Sequence, residues 1–189
     1  LCRPQVHGDV GLMEHGTREN LRIPGTARRL KALFFDWLLI SAYLIVLLIV
    51  ASSIYALIPD GTPESTSYQA QLIATLASVV PVTAVFAIWE GTRPFASWGK
   101  RRVGLKVIYE GSPVRGSVIR NTAKFLPWQF GHMGTIDGVY HGFDTPFAAA
   151  LLSLSIALAI VYVLMVLLRH DGRHLADLLA GSTVVVDRT

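Results

Sequence analysis

Residues 146–168 read PFAAALLSLSIALAIVYVLMVLL, twenty-three consecutive residues without a charged side chain. A helix needs about twenty apolar residues to cross the hydrocarbon core of a bilayer. The composition of the whole chain agrees with this stretch, because 52% of its 189 residues are apolar and only 16% are charged. A soluble domain of this size would need more charge to cover its surface. The sequence therefore predicts a small integral membrane protein.

Two further stretches predict membrane spans. Residues 32–58 are apolar except for Asp36 and three serines, and residues 70–89 contain no charge. Pro81 lies in the middle of the second stretch, where it removes a backbone hydrogen bond. We expect a kink there, and the freed carbonyl needs a donor from a neighbouring helix or from a polar side chain such as Thr83.

The segment 114–134 can either cross the bilayer or lie flat, because one helical face is apolar and the opposite face is polar. The distribution of the seventeen Lys and Arg residues favours a crossing: six lie before residue 32, eight between residues 93 and 124, and three after residue 168. Such residues concentrate on the cytoplasmic side of membrane proteins. Four crossings with both termini cytoplasmic keep all seventeen on that side, and this helix must then pack inside the bundle.

The prediction is an all-α membrane protein, a four-transmembrane-helix bundle formed by residues 28–189 behind a flexible cytoplasmic tail at residues 1–27. Residues 103–109 and 183–186 have the alternating or β-branched pattern of strands, and we expect them to pair as a two-stranded cytoplasmic ribbon. One or two helical turns fit between Arg173 and Ala180.

Small residues recur every four positions on two of the predicted spans. Such faces let helices approach closely, so we expect these two faces to meet. They consist of Ala70, Ala74 and Ser78 on one span and of Ala149, Ser153 and Ala157 on the other.

Asp36 is the first candidate for chemistry, because an ionisable residue within a span is a functional-site hypothesis by default. Arg29, seven residues earlier, falls on nearly the same helical face. The structural alternative is a simple buried ion pair. In either case we expect Asp36 within salt-bridge reach of Arg29 or of another basic residue, with Asp177 facing the same network.

A basic cluster, Lys100, Arg101 and Arg102, follows the second span. It lacks the remaining residues of a P-loop, so the two alternatives are contact with anionic lipid headgroups and plain topological anchoring. His170 and His174 have the spacing of two metal ligands, but no further ligand motif follows them. We expect no metal, no cofactor and no nucleic-acid partner, and we assign the net charge of +4 to membrane topology.

Four segments in this order resemble the RDD family of bacterial membrane proteins. They are RLKALFFD at residues 29–36, GKRRVGLKV at 99–107, Arg120-Asn121, and RHLADLLAGSTVV at 173–185. The family is named for one arginine and two aspartates, which correspond here to Arg29, Asp36 and Asp177. The resemblance implies a multi-pass inner-membrane protein that is loosely regarded as transport-related.

Two positions depart from the family pattern. Ser97-Trp98 stands where the family usually has Thr-Pro, and Ala176 stands where it usually has a histidine before the last aspartate. If that histidine were a required proton partner, this chain would have to use another one, such as His174.

Two function classes remain. In the first, a transport-related protein, a carboxylate exchanges a proton for a cation along a polar pathway, with His132 or Glu90 as further members. In the second, an accessory or scaffold protein, the buried charges are structural and the helices bind a larger membrane partner. Four spans are few for a self-contained transporter, so transport would favour a homo-oligomer. An enzyme is not expected, because no catalytic motif occurs. The candidate network residues are Arg29, Asp36, Lys100, Arg120, His132 and Asp177.

Overall fold

A computed structural model of the chain describes residues 22–58 and 64–187. Most of the predicted tail, residues 1–21, lies outside the described residues. The chain is already tied to the fold at Arg22, whose carbonyl accepts a hydrogen bond of 3.0 Å from the amide of Val186.

The described residues form six helices and two strands. They are α1 (Thr26–Ala56), α2 (Ser67–Gly91), α3 (Trp98–Arg102), β1 (Leu105–Tyr109), α4 (Pro113–His141), α5 (Pro146–Leu168), α6 (Leu175–Leu179) and β2 (Ser182–Val186). Three of the helices, α1, α2 and α5, are long and apolar enough to cross a membrane. The three apolar spans predicted from the sequence are therefore confirmed, although α1 begins six residues earlier than expected.

Helix α4 is the polar helix of the fold. Its 29 residues extend for about 44 Å at a rise of 1.5 Å per residue. Its sequence is too polar for it to count among the apolar spans, and it packs against both α2 and α5. The expectation that this helix lies inside the bundle is confirmed, because α2 and α5 shield it on two sides.

The expectation that the small-residue faces of α2 and α5 meet is wrong. Each of these helices packs mainly on α4, and the α5 face with Ala149, Ser153 and Ala157 is exposed. The close approach occurs instead at glycines of α4. A Cβ atom on Gly134 would lie 2.9 Å from Cγ of Leu152, and one on Gly131 would lie 3.1 Å from Oγ of Ser155.

Helix α2 contains a π-helical segment, Thr75–Val79, just before Pro81. Pro81 has no amide hydrogen, so the carbonyl of Ala77 loses its partner four residues ahead. The hydroxyl of Tyr43 on α1 donates to this carbonyl. A neighbouring helix thus supplies the donor that the sequence required, and Thr83 is not that donor.

The two strands pair antiparallel, from Leu105 opposite Val186 to Tyr109 opposite Ser182. The predicted ribbon is confirmed. Its apolar side packs on the start of α1, where Leu105, Val107 and Val184 form a buried cluster with Ala32. A lone two-stranded ribbon is marginally stable, and this contact supplies the apolar surface that it needs.

Helix α1 packs chiefly on the short helix α3. The contact is as close as backbones allow, since a Cβ atom on Gly99 would lie 2.1 Å from the carbonyl oxygen of Ala32 and 2.8 Å from Oδ1 of Asp36. Only glycine fits at position 99 without displacing α1. This contact brings α3 onto the face of α1 that carries Asp36.

Candidate functional site

Four charged side chains from four helices form one buried chain of ion pairs. Glu90 at the end of α2 is fully buried, and it contacts both Lys100 of α3 and Arg120 of α4. Arg120 also contacts Asp177 of α6, with 2.6 Å between Nε and Oδ1. Ion pairs removed from water are favourable only when their hydrogen bonds are also satisfied. Here Asn121 supplies a further donor to Glu90 at 3.1 Å.

Asp177 is held by its own helix and by the ribbon. Its carboxylate accepts hydrogen bonds from the hydroxyl of Ser182 at 3.1 Å and from the amide of His174 at 3.3 Å. Burial by itself raises the pKa of Asp177, but the positive charge and the hydrogen bond of Arg120 outweigh it and lower the pKa to about 2. Asp177 is therefore ionised at neutral pH and locked to α4.

His174 begins α6 as its N-terminal cap. Nδ1 of His174 accepts a hydrogen bond of 3.3 Å from the amide of Asp177, which requires an unprotonated Nδ1. Burial lowers the pKa of His174 to about 4, against the opposing effect of Asp177. The neutral ring stacks on Tyr162 of α5. His174 thus lies 3.5 Å from Asp177. Ala176, which stands where the family usually has a histidine, is completely buried.

Asp36 is buried, with 3% of its surface exposed, and its partners differ from those expected. Its carboxylate accepts hydrogen bonds of 2.7 Å from the hydroxyl of Ser97 and from the amide of Gly99. Within residues 22–58 and 64–187, no Lys or Arg nitrogen lies within 4 Å of it. The expectation of a salt bridge to Asp36 is therefore wrong, because two neutral donors from α3 occupy the carboxylate.

Ser97 links Asp36 to the ion pairs. Its hydroxyl donates to Asp36 and accepts a hydrogen bond of 3.3 Å from Lys100. The threonine usual at this position in the family would carry the same hydroxyl, so the departure at Ser97 preserves the link. Trp98, which stands where the family usually has a proline, makes an edge-to-face contact with Phe35, with 5.8 Å between the ring centroids.

Arg29 does not contact Asp36 either. Its guanidinium donates to the backbone carbonyls of Gly172 and Asp171, and Nε donates to the carbonyl of Pro24. Arg29 therefore fastens the turn that follows α5 to the start of α1. Its charge is solvated by peptide dipoles rather than by a carboxylate.

Two other candidates lie elsewhere than expected. His132 faces Ser78 of α2, three turns of α4 beyond Arg120, and so is not part of the ion-pair chain. Lys100 is only 7% exposed, and its ammonium contacts Glu90 rather than the surface of the protein. Arg101 and Arg102 remain exposed.

A cavity of about 140 Å³ lies between these elements. Its ionisable lining consists of Arg29, Asp36, Lys100, Arg120, Lys124, His174 and Asp177. Lys124 is the cation of this set that sequence reasoning did not select. Its ammonium lies 4.5 Å from the ring centroid of Phe86 and 5.1 Å from that of Phe125. Among the described residues no carboxylate oxygen lies within 4 Å of that ammonium.

Sequence reasoning also gave too little weight to two polar residues. Glu90 is the residue where the uncharged stretch of α2 ends, and this position was the signal that it lies at the edge of a span. Ser97 carried no signal beyond the family pattern. Its hydroxyl matters only because α3 folds back onto α1.

The chain was compared with known families, with curated proteins and with solved structures. The sequence model of the RDD family matches residues 23–181, which includes all four helices of the ion-pair chain. No curated protein and no solved structure matches the chain. The match extends from the residues just before α1 to the turn before β2 and so covers most of the sequence. The chain is a member of the RDD family.

Proposed function

We propose that this RDD-family membrane protein exchanges protons or small cations across a bacterial inner membrane, with Asp36 as the exchanging carboxylate. In this proposal α4 is a fourth crossing, and both termini, the ribbon and α6 lie on the cytoplasmic side. The charge distribution supports this topology, because the loop between α4 and α5 carries no Lys or Arg. No enzymatic activity is proposed.

One observation carries the proposal: the cavity contains a carboxylate and an ammonium that have no ion-pair partner among residues 22–58 and 64–187. Glu90, Arg120 and Asp177 are bound to one another, so a change of charge on any of them would leave a buried partner uncompensated. Asp36 and Lys124 have no such restraint within the described residues, and both line the cavity. Ionisable groups of this kind at membrane depth are the usual relay groups of transporters.

The cavity also has the space that exchange requires. Its volume of about 140 Å³ is several times the share of one water molecule in the liquid, about 30 Å³. A hydrated proton or a partly dehydrated cation therefore fits beside Asp36.

A second function, that of an accessory protein, is favoured by a different observation. The chain of ion pairs joins α2, α3, α4 and α6, so these charges hold the ribbon end of the protein to its apolar helices. In that case Asp36 completes a scaffold, and the long exposed apolar surface of α1 binds a larger membrane partner or a second copy.

Flux measurements on proteoliposomes test the transport proposal. Purified full-length protein is reconstituted with a pH-sensitive dye inside, and a sodium or potassium gradient is imposed. We expect proton movement with the wild type, none with Asp36→Asn, and wild-type movement with Asp144→Asn, a matched change at an exposed aspartate. Wild-type protein without flux under any cation gradient would support the accessory function instead.

A further inference from the structure

The side of α1 that faces α2 forms an apolar groove below two exposed arginines. The groove has a volume of about 390 Å³ and is lined by side chains of both helices. Those from α1 include Leu39, Ala42 and Tyr43, and those from α2 include Pro81, Val85 and Trp89. Because both helices are apolar enough to span a membrane, this groove opens toward the lipid rather than toward water.

The arginines lie at the end of the groove where Trp89 forms its wall. The guanidinium of Arg101 lies 5.7 Å from the ring centroid of Trp89, and that of Arg102 lies 4.8 Å from the ring centroid of Trp98. Nε of Arg101 is fixed by a hydrogen bond of 2.9 Å to the carbonyl of Ala96. Arg101 is therefore held at the aromatic edge of the groove, and Arg102 is held on the neighbouring Trp98. Aromatic side chains of this kind mark the headgroup region of a bilayer.

Neither arginine is neutralised within the part of the chain that the structure describes. Among the described residues, no carboxylate oxygen lies within 4 Å of Arg101 or Arg102. Lys31 and Arg28, one turn into α1, line a second surface depression together with Arg102 and add to the positive charge. An exposed cluster of four cations that forms no ion pair with a described carboxylate attracts an anion, and an arginine can bind a phosphate with two hydrogen bonds.

The cationic cluster and the apolar groove lie one after the other along α1. Lys31 and Leu39 are eight residues apart, or about 12 Å along the helix axis. Phe35 lies between them and contacts Trp98, so the surface changes from charged to aromatic to apolar in that order. This order is the order of phosphate, glycerol backbone and acyl chain in a phospholipid.

We infer that the chain has a specific site for an anionic glycerophospholipid, whose phosphate binds Arg101 and Arg102 and whose acyl chain lies in the groove between α1 and α2. Charge complementarity selects an anionic lipid over a zwitterionic one. The site is independent of the proposed transport, since none of its residues belongs to the ion-pair chain or lines the charged cavity.

Native mass spectrometry of the detergent-purified full chain tests the headgroup part. The probes are phosphatidylglycerol and phosphatidylcholine with identical acyl chains. We expect the wild type to retain phosphatidylglycerol preferentially, and the double variant Arg101→Gln/Arg102→Gln to bind it more weakly by about fivefold for each arginine removed. The matched control, Arg93→Gln/Arg115→Gln, removes the same charge from two exposed arginines elsewhere and should bind as the wild type does. Equal losses in both double variants would overturn the inference, because the effect would then be one of net charge alone.

The acyl part is tested by filling the groove. Ala42 is exposed and lines the groove, so Ala42→Phe should fold normally and weaken the binding of phosphatidylglycerol. Ile45→Phe, an equally exposed change on α1 outside the groove, should leave binding unchanged. Thermal unfolding of both variants checks their folding. If Ala42→Phe dissociated a dimer while lipid binding stayed at the wild-type level, the groove would bind a second copy and the inference would be wrong.

Discussion

The hydroxyl of Tyr162 on α5 donates a hydrogen bond of 2.7 Å to the carbonyl of Ala123 on α4, the carbonyl that Pro127 leaves without its helical partner. Tyr43 of α1 does the same for Ala77, four residues before Pro81. Both prolines within the long helices are thus compensated by a tyrosine from a neighbouring helix. In lipid no water molecule is available to donate a hydrogen bond to such a carbonyl. Each tyrosine therefore supplies the missing hydrogen bond and also fixes which helices are neighbours.

Tyr162→Phe removes only the hydroxyl, and it should lower the free energy of unfolding by about 1–3 kcal/mol, because the buried carbonyl of Ala123 would lose its donor. Denaturant titration of the purified protein in detergent measures the change. Tyr68→Phe, a change at a largely exposed tyrosine, should have almost no effect. Equal stability of the two variants would mean that the carbonyl finds another donor.

Gly99→Ala should be among the most destabilising single-methyl changes in the chain. The added Cβ would lie 2.1 Å from the carbonyl oxygen of Ala32, so α3 and α1 would have to separate. We expect a loss of about 1–3 kcal/mol or more from overpacking. Gly111→Ala is the control, since a Cβ atom there would meet nothing within 4 Å. Thermal unfolding of the two variants decides this, and an unchanged melting temperature for Gly99→Ala would contradict the packing described here.

Stability should fall below neutral pH because of His174. The pKa of this side chain is lowered from 6.5 to about 4 in the folded protein, chiefly by burial. The unfolded chain therefore takes up a proton between these values while the folded chain does not. The stability contributed by neutral His174 is complete above pH 6.5 and is lost as the pH falls toward 4, by about 2 kcal/mol at pH 5.

Unfolding measured between pH 7.5 and pH 5 tests this effect. His174→Gln should remove most of the pH dependence, whereas His170→Gln, a change at an exposed histidine, should not. The charges of Asp177, Arg120, Lys124 and Lys100 also act on the pKa of His174. An identical pH dependence in all three proteins would assign it to another group.

The four-crossing topology predicts that the two ends of α5 lie on opposite sides of the membrane. In a Cys2→Ser background, Phe143→Cys places a thiol in the exposed turn before α5, and His170→Cys places one after it. We expect an impermeant thiol reagent to reach position 143 only from the periplasm and position 170 only from the cytoplasm. Labelling of both from the same side would exclude a crossing by α5. Labelling with the opposite polarity would mean that α4 does not cross.

The features of the fold that could be predicted from sequence are those with a local pattern. The uncharged run of α5 and the alternation in β1 have this property, because span length and strand periodicity depend on residues adjacent in sequence. The pairing of helices does not follow from such a local pattern. The small faces at Ala74 and Ala149 suggested one contact, whereas the contacts that form are set by Gly134 and by the tyrosine that satisfies the carbonyl before Pro127.

Only the charged residues of the site could be predicted from the sequence. Asp36 stood out because an ionisable residue within a span is rare, whereas Arg120 and Asp177 were selected through the family resemblance. All three line one cavity. Their partners could not be predicted, since opposite charge was the only criterion that the sequence offered. The donors to Asp36 are a hydroxyl and a backbone amide from α3, and a backbone amide has no signature in a sequence.

In the proposed function, Asp36 exchanges protons or cations, whereas the ion pairs beside it hold the helices together. Arg120→Gln should lower the free energy of unfolding by about 3–5 kcal/mol, because it leaves Glu90 and Asp177 buried without their shared cation. Asp36→Asn leaves no opposite charge unpaired, so it should cost much less.

The most direct test is to measure unfolding and cation-driven proton flux on the same preparations of wild type, Asp36→Asn and Arg120→Gln. We predict that Asp36→Asn keeps its melting temperature close to that of the wild type and loses flux, while Arg120→Gln loses stability. An Asp36→Asn protein that is as destabilised as Arg120→Gln, or one that is stable and retains full flux, would contradict an exchanging role for Asp36.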